Sequence, residues 1–286
     1  METTESVVAE LNVALGTDYR VVRQLTGGLQ STAYELTGGV VLKWTDDRAW
    51  APRVRRAAEL VRRARAVGYP TPEWLAVGTT AAGSPYQLQE LVLGSAPVLD
   101  EALARELIGI CELQQDLIPE DHDVTWSAWA QGVVFDGWDG VWERVLGYGD
   151  EASELVRQYG ELCRPYRDAV LPRHDFVHGD LNMGNLLVSD GRITGIVDIE
   201  AAGSGSRAYD LVSLAASAAR DGAAPGGDER LLAAAVHESG PAAVAVCAAA
   251  AFASVAEFVH DRGSYSQELV NHGGRRVLEL LGPFDR

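Results

Sequence analysis

Only one of the 24 Lys and Arg side chains in this 286-residue sequence is a lysine, Lys43. Cysteine is almost as scarce. Cys111, Cys163 and Cys247 are odd in number, widely spaced and in no CxxC pair, which excludes a disulfide framework and a cysteine zinc site. A reducing cytoplasm is the compartment expected. Glu2 and Glu5 stand where a signal peptide would carry Lys or Arg, so no targeting segment is expected. The longest apolar run, Pro241 to Ala256, is short for a membrane span and mostly alanine, and it predicts a buried helix. Basic charge is missing from the second part of the chain. Residues 1–99 balance ten acids with ten bases, residues 100–175 hold seventeen acids against six bases, and the net charge is −17. Such a field excludes nucleic acid as a partner and favours small cationic ones. A solvated acidic surface is the plainer alternative.

What is present concentrates between His178 and Glu200, in HGDLNMGNLLVSDGRITGIVDIE. Two short runs of β-formers, Asn185 to Ser189 and Arg192 to Val197, flank Asp190-Gly191, a strong two-residue hairpin signal. Ser189 should face Arg192, which puts Asn185 opposite Ile196 and leaves Asn185 and Asp198 at the open end. Asp180 should enter that end from the preceding loop. An amide oxygen and a carboxylate suit Mg²⁺, and a second carboxylate is then free to accept a proton. That is the equipment of phosphoryl transfer. A plain hairpin with surface Asp and Asn is one alternative, and a metal hydrolase built on His174, His178, Asp180 and Asp198 is another.

His178-Gly179-Asp180, then Asn185, then Asp198 beyond a hairpin, resembles the catalytic and metal loops of the protein-kinase-like fold. With Gly at 179 it is most similar to the aminoglycoside phosphotransferase family. The resemblance implies an α+β, bilobal fold. Residues 1–92 would form an ATP-binding lobe with an antiparallel sheet and one main helix, and residues 93–286 a larger, mostly helical lobe for catalysis and acceptor. It makes Asp180 the catalytic base, Asn185 and Asp198 the Mg²⁺ ligands, and Asp210 a support for the catalytic loop with His178. Ile199 and Gly203 to Arg207 depart from the family's usual Trp and Gly-Asp-Pro.

The first third of the chain fits this frame. Thr4 to Leu15 predicts an amphipathic helix ending at Gly16, followed by strands at Tyr19 to Leu25, Ala33 to Leu36 and Val40 to Trp44. Gly27, Gly28, Ser31 and Thr32 lie between the first two strands, where backbone N–H groups could meet phosphate; an ordinary hairpin loop reads equally well. Lys43 then supplies a compact ammonium charge for the α- and β-phosphates. Arg48 to Val67 has helical spacing with Glu59 as its only acid. The resemblance pairs Glu59 with Lys43; on the residues alone it could be a surface partner of Arg55 or Arg63. Glu90 and Val92 would offer backbone groups to adenine.

Further helices are expected from Asp100 to Leu117 and from Glu154 to Val170, with Ala-rich helices after Asp210 and a closing segment at Val255 to Leu281. Residues 126–142 carry four of the seven tryptophans. Asp136, Asp139, Trp138 and Trp142, with Glu200, are the candidates for holding a cationic, hydroxyl-bearing acceptor. The expected reaction moves the γ-phosphoryl group of ATP to a small cationic antibiotic, an aminoglycoside or a tuberactinomycin-type peptide, giving resistance. A metabolic kinase for choline, homoserine or a sugar and a non-catalytic nucleotide-binding regulator are the alternatives. No obligate protein partner is expected.

Overall fold

Thr3 starts the first helix by a reciprocal cap: its hydroxyl accepts the Ser6 N–H, and its own N–H donates to Ser6 Oγ. In the computed structural model, which describes residues 2–25, 32–119, 125–222, 224, 226–263 and 266–282, that helix is α1 (Thr4–Leu15). Its buried Val7, Val8 and Leu11 pack on an antiparallel sheet. Strands β1 (Val21–Leu25), β2 (Thr32–Leu36) and β3 (Val40–Trp44) are followed by helix α2 (Ala51–Ala66), then β4 (Trp74–Thr79) and β5 (Pro85–Glu90). The strand order is β1-β2-β3-β5-β4. β3 is the central strand, buried over Val40 to Lys43, and it carries Lys43 opposite Ala33 and Gln87. The small core holds Leu36, Val40, Leu42 and Leu88. Leu60, Val61 and Ala64 of α2 face the other way and join the larger core.

The helical part begins with α3 (Glu101–Glu112), α4 (Trp126–Phe135), α5 (Val141–Val145) and α6 (Asp150–Cys163). Short strands β6 (Asp175–Val177), β7 (Leu186–Ser189), β8 (Arg192–Ile196) and β9 (Gly203–Gly205) follow. The chain closes with α7 (Ala208–Asp221), α8 (Gly227–Arg262) and α9 (Gln267–Leu281). Strand β6 pairs antiparallel with β9, and β7 pairs antiparallel with β8. The fold is α+β, with a five-stranded antiparallel sheet in the first part and a larger helical second part.

Three helix expectations shorten. The one from Asp100 stops at Glu112, and Asp116 turns left-handed with φ 50°. The one toward Val170 stops at Cys163, just before Pro165. The closing segment breaks at Gly263, φ 58°, which ends α8. The Ala-rich run is the buried part of α8. Gly240, φ 79° and ψ 161°, followed by Pro241, bends the helix there because proline removes a backbone donor. Among the described residues α8 alone is long and apolar enough to cross a membrane, and 72% of that stretch is buried inside the protein.

Candidate active site

Asp190 and Gly191 both adopt positive φ, 50° and 74°, as a tight hairpin between β7 and β8 requires. Ser189 faces Arg192 as expected, but the register shifts by one between Leu187 and Val188. Thr194 is the extra residue, without a partner on β7, and its hydroxyl donates to the Leu93 and Leu187 carbonyls. Leu186 therefore stands opposite Ile196, correcting the Asn185 pairing, and the Asn185 carbonyl accepts the Val197 N–H at 2.9 Å. Asn185 still lies beside Asp198, at the open end.

Asp180 is held by that end. The Asn185 amide donates to the Asp180 carbonyl at 2.8 Å and to its carboxylate at 3.3 Å, and Asn182 donates at 3.1 Å. With its nitrogen so engaged, Asn185 has Oδ1 left for a cation. The Asp180 side chain is open to water in the cleft while protein surrounds it on most sides. That enclosure, then the Asp198 charge, pushes its pKa up to about 6 against the pull of the two amides.

Below Asp180 the loop is pinned by two buried groups. The Asp210 carboxylate accepts the His178 N–H at 2.8 Å, the Gly179 N–H at 3.1 Å and the Gln114 amide at 2.6 Å. Burial raises Asp210 to about 6, with these donors opposing. His178 donates from Nε2 to the Val197 carbonyl at 2.9 Å and accepts the Asp180 N–H at Nδ1. Burial lowers it to about 4, so it stays neutral at pH 7. His178 and Asp210 thus both lie under the loop and hydrogen-bond to it. Among the described residues His174, His178, Asp180 and Asp198 do not come together as one group of metal ligands. Gly179 has φ 81°, and a Cβ there would lie 2.3 Å from the Trp126 ring. Trp126 itself donates to the Ala201 carbonyl at 3.1 Å.

Lys43 reaches this site from the sheet. Its ammonium lies 2.5 Å from Asp198 and 2.6 Å from Glu200. Burial alone would lower its pKa, but the two carboxylates outweigh burial and hold it above the ordinary lysine value. Gln87 donates to the same Glu200 oxygen at 2.8 Å, and Arg53 to the Glu200 carbonyl at 3.0 Å. Glu200, expected at the acceptor, is instead the partner of Lys43. Glu59, expected to be that partner, is half exposed and pairs with Arg62 and Arg63 on its own helix. The turn of α2 decides this, since its buried stripe runs through Val54, Ala57 and Val61.

A cavity of about 400 Å³ joins these groups; Lys43, Arg53, Asp180, Asn185, Asp198 and Glu200 all line it. Residues 21–247 match the sequence model of the APH family, the phosphotransferase enzyme family. The chain belongs to that family. No curated relative matches this phosphotransferase in sequence. It is similar in fold to the GDP complex of wild-type aminoglycoside 2'-phosphotransferase-IIIa, with 13% identity, 98% of this chain and 99% of that one covered, and a TM-score of 0.70. Aminoglycoside phosphotransferase APH(4)-Ia is 18% identical, with 97% and 99% covered and a TM-score of 0.66.

The remaining expectations for this phosphotransferase divide. Gly27, Gly28 and Ser31 lie outside the described residues. Thr32 pairs with Trp44 at the start of β2. The Glu90 N–H is already donated to the Glu73 carbonyl, and its side chain lies 3.5 Å from Arg65, so only its backbone carbonyl could meet a base edge. The side chain of Val92 packs over Gly195 of β8. Asp136 pairs with Arg167 at 3.1 Å. Trp138 lays its ring over Gly132, Asp139 takes a left-handed turn, and Trp142 packs on the large core. None of these four lines the cavity, because α4 turns Trp126 toward it and the following turn points away. Trp126 and Arg53 were missed. An arginine among many on α2 and one tryptophan among several carry no local signal.

Proposed function

We propose that this protein transfers the γ-phosphoryl group of ATP, bound with Mg²⁺, to a hydroxyl of a small molecule. The carrying observation is the placement of Asp180, Asn185, Asp198 and Lys43 around one cavity. Nucleotide-bound relatives of the same fold, an ADP ternary complex of APH(4)-Ia among them, support the donor. The donor set fits the metal: three carboxylates, Asp180, Asp198 and Glu200, face two cations, Lys43 and Arg53, leaving surplus negative charge and oxygen ligands. Asp198 and Asn185 Oδ1 would hold Mg²⁺, which when bound neutralises phosphate charge. Lys43, held by Glu200, meets the α- and β-phosphates. Asp180 orients the acceptor hydroxyl and takes its proton as the oxygen attacks phosphorus.

A hydroxyl-bearing antibiotic is the acceptor that the neighbours support, since one is a kanamycin complex and another a hygromycin B complex. The three cysteines are buried and unpaired, which supports a reducing cytoplasm as the place of reaction. The deciding experiment is Mg²⁺-dependent ADP release against a panel of hydroxyl acceptors, with Asp180→Ala beside the native protein. Acceptor-dependent release that the variant lacks is the expected result. Equal release by both proteins would end this reading.

A further inference from the structure

The cavity has two unlike ends. All three of its carboxylates, Asp180, Asp198 and Glu200, sit at the catalytic end, and Asp198 and Glu200 are already paired with Lys43. Beyond Asp180 the wall is made mainly by Val212 and Ala216 of α7, Phe252, Val255 and Val259 of α8, and Val277 of α9, with the hydroxyls of Ser213 and Ser254 between them. Among the described residues this end contains no Asp or Glu. Its charged side chain is Arg220, which lies 2.9 Å from Asp221. Ser217 is committed, accepting the Met183 N–H and donating to the Leu214 carbonyl. Glycines shape the floor. A Cβ on Gly273 would lie 2.5 Å from the Ala216 carbonyl oxygen, and one on Gly274 would lie 2.4 Å from the Phe252 ring, so α9 approaches closely and adds no side chain there.

A polycation entering this end would lose water from its ammonium groups and meet mainly hydrocarbon, with no lining carboxylate, in exchange. A neutral molecule would exchange water for apolar contact, which is favourable. We infer that the acceptor is a neutral alcohol on a hydrocarbon skeleton, seated against α7, α8 and α9 with its hydroxyl at Asp180. This deepens the phosphotransfer reading and rests on it. The hydroxyl oxygen forms the new bond to the γ-phosphorus, the bond from that phosphorus to the β-phosphate bridging oxygen breaks, ADP leaves, and the hydroxyl proton passes to the Asp180 carboxylate.

The test uses the full chain with Mg²⁺ and ATP and measures ADP release and the mass of the phosphorylated product. The acceptors are glycerol, cyclohexanol, borneol and menthol on one side, and kanamycin and hygromycin B on the other. The expected result is a kcat/KM that rises at least tenfold from glycerol to menthol and exceeds that of both aminoglycosides. Val255→Asp should lower the menthol value at least tenfold, and Val255→Ile, which keeps the surface apolar, should not. Faster turnover of either aminoglycoside would overturn the inference and leave phosphotransfer standing. So would a flat response across the neutral series, or none while calorimetry still shows Mg²⁺-ATP binding. Absence of nucleotide binding would instead overturn the underlying reading.

Discussion

At the scale of single residues, the charge on Asp180 decides activity. A carboxyl raised to about 6 is protonated below that pH and cannot take the hydroxyl proton. The expected pH profile of kcat/KM therefore falls about tenfold per unit on its acid side, with the break near 6 in the free protein. Asp180→Asn should lose about 10²- to 10⁴-fold in turnover while nucleotide still binds, checked by ADP release and calorimetry. A break well below pH 5 would mean that the Asp180 carboxyl is not raised in the working protein. The reassignment of the Lys43 partner makes a second contrast. Glu200→Gln removes a charge 2.6 Å from the ammonium, so it should raise the KM for ATP by about tenfold or more, as loss of a close charge pair does. Glu59→Ala, on an exposed arginine pair, should change it less than about twofold. Steady-state kinetics with varied ATP separates the two.

At the scale of elements, the catalytic loop depends on the contact between α4 and the turn that follows β6. Gly179 leaves room for the Trp126 ring and adopts φ 81°. Gly179→Ala should therefore cost about 1–3 kcal/mol in urea unfolding, because a methyl group both overlaps the ring and resists that backbone angle. The hairpin was legible before the structure because Asp190-Gly191 determines its own turn. Its register was not, since the extra residue, Thr194, bonds through its hydroxyl to Leu93, which is distant in sequence. Asp136, Trp138, Asp139 and Trp142 lie off the cavity for a reason at the same scale. Composition marked residues 126–142 as aromatic and acidic, but which tryptophan faces the cavity depends on how α4 docks against Tyr209.

Across the whole molecule, the buried pairs from Lys43 to Asp198 and Glu200 join β3 of the sheet to the end of the β7–β8 hairpin. A nucleotide that binds this junction should stabilise both parts together. Mg²⁺-ADP at about 100 times its Kd should add about 2.7 kcal/mol and raise Tm in a thermal melt. Asp198→Ala should abolish the Mg²⁺-dependent part of that rise. A melt unaffected by nucleotide would mean that the folded protein does not bind it. The net charge of −17 does not describe the cavity, whose far end is mainly apolar and lined by no Asp or Glu among the described residues.

Local chemistry in the chain was enough to specify α1, β3 with its lysine, the Asp-Gly turn, and the spacing of Asp180, Asn185 and Asp198. Each depends on neighbours only a few residues away, so it survives being read along one dimension. The partner of Lys43, the outward face of Glu59 and the hydrocarbon wall beyond Asp180 were decided by packing. Lys43 and Glu200 are 157 residues apart, and the far wall is assembled from three helices. No periodicity within one segment encodes which faces of separate segments will meet, because burial of each face is settled only when all of them pack against a common core.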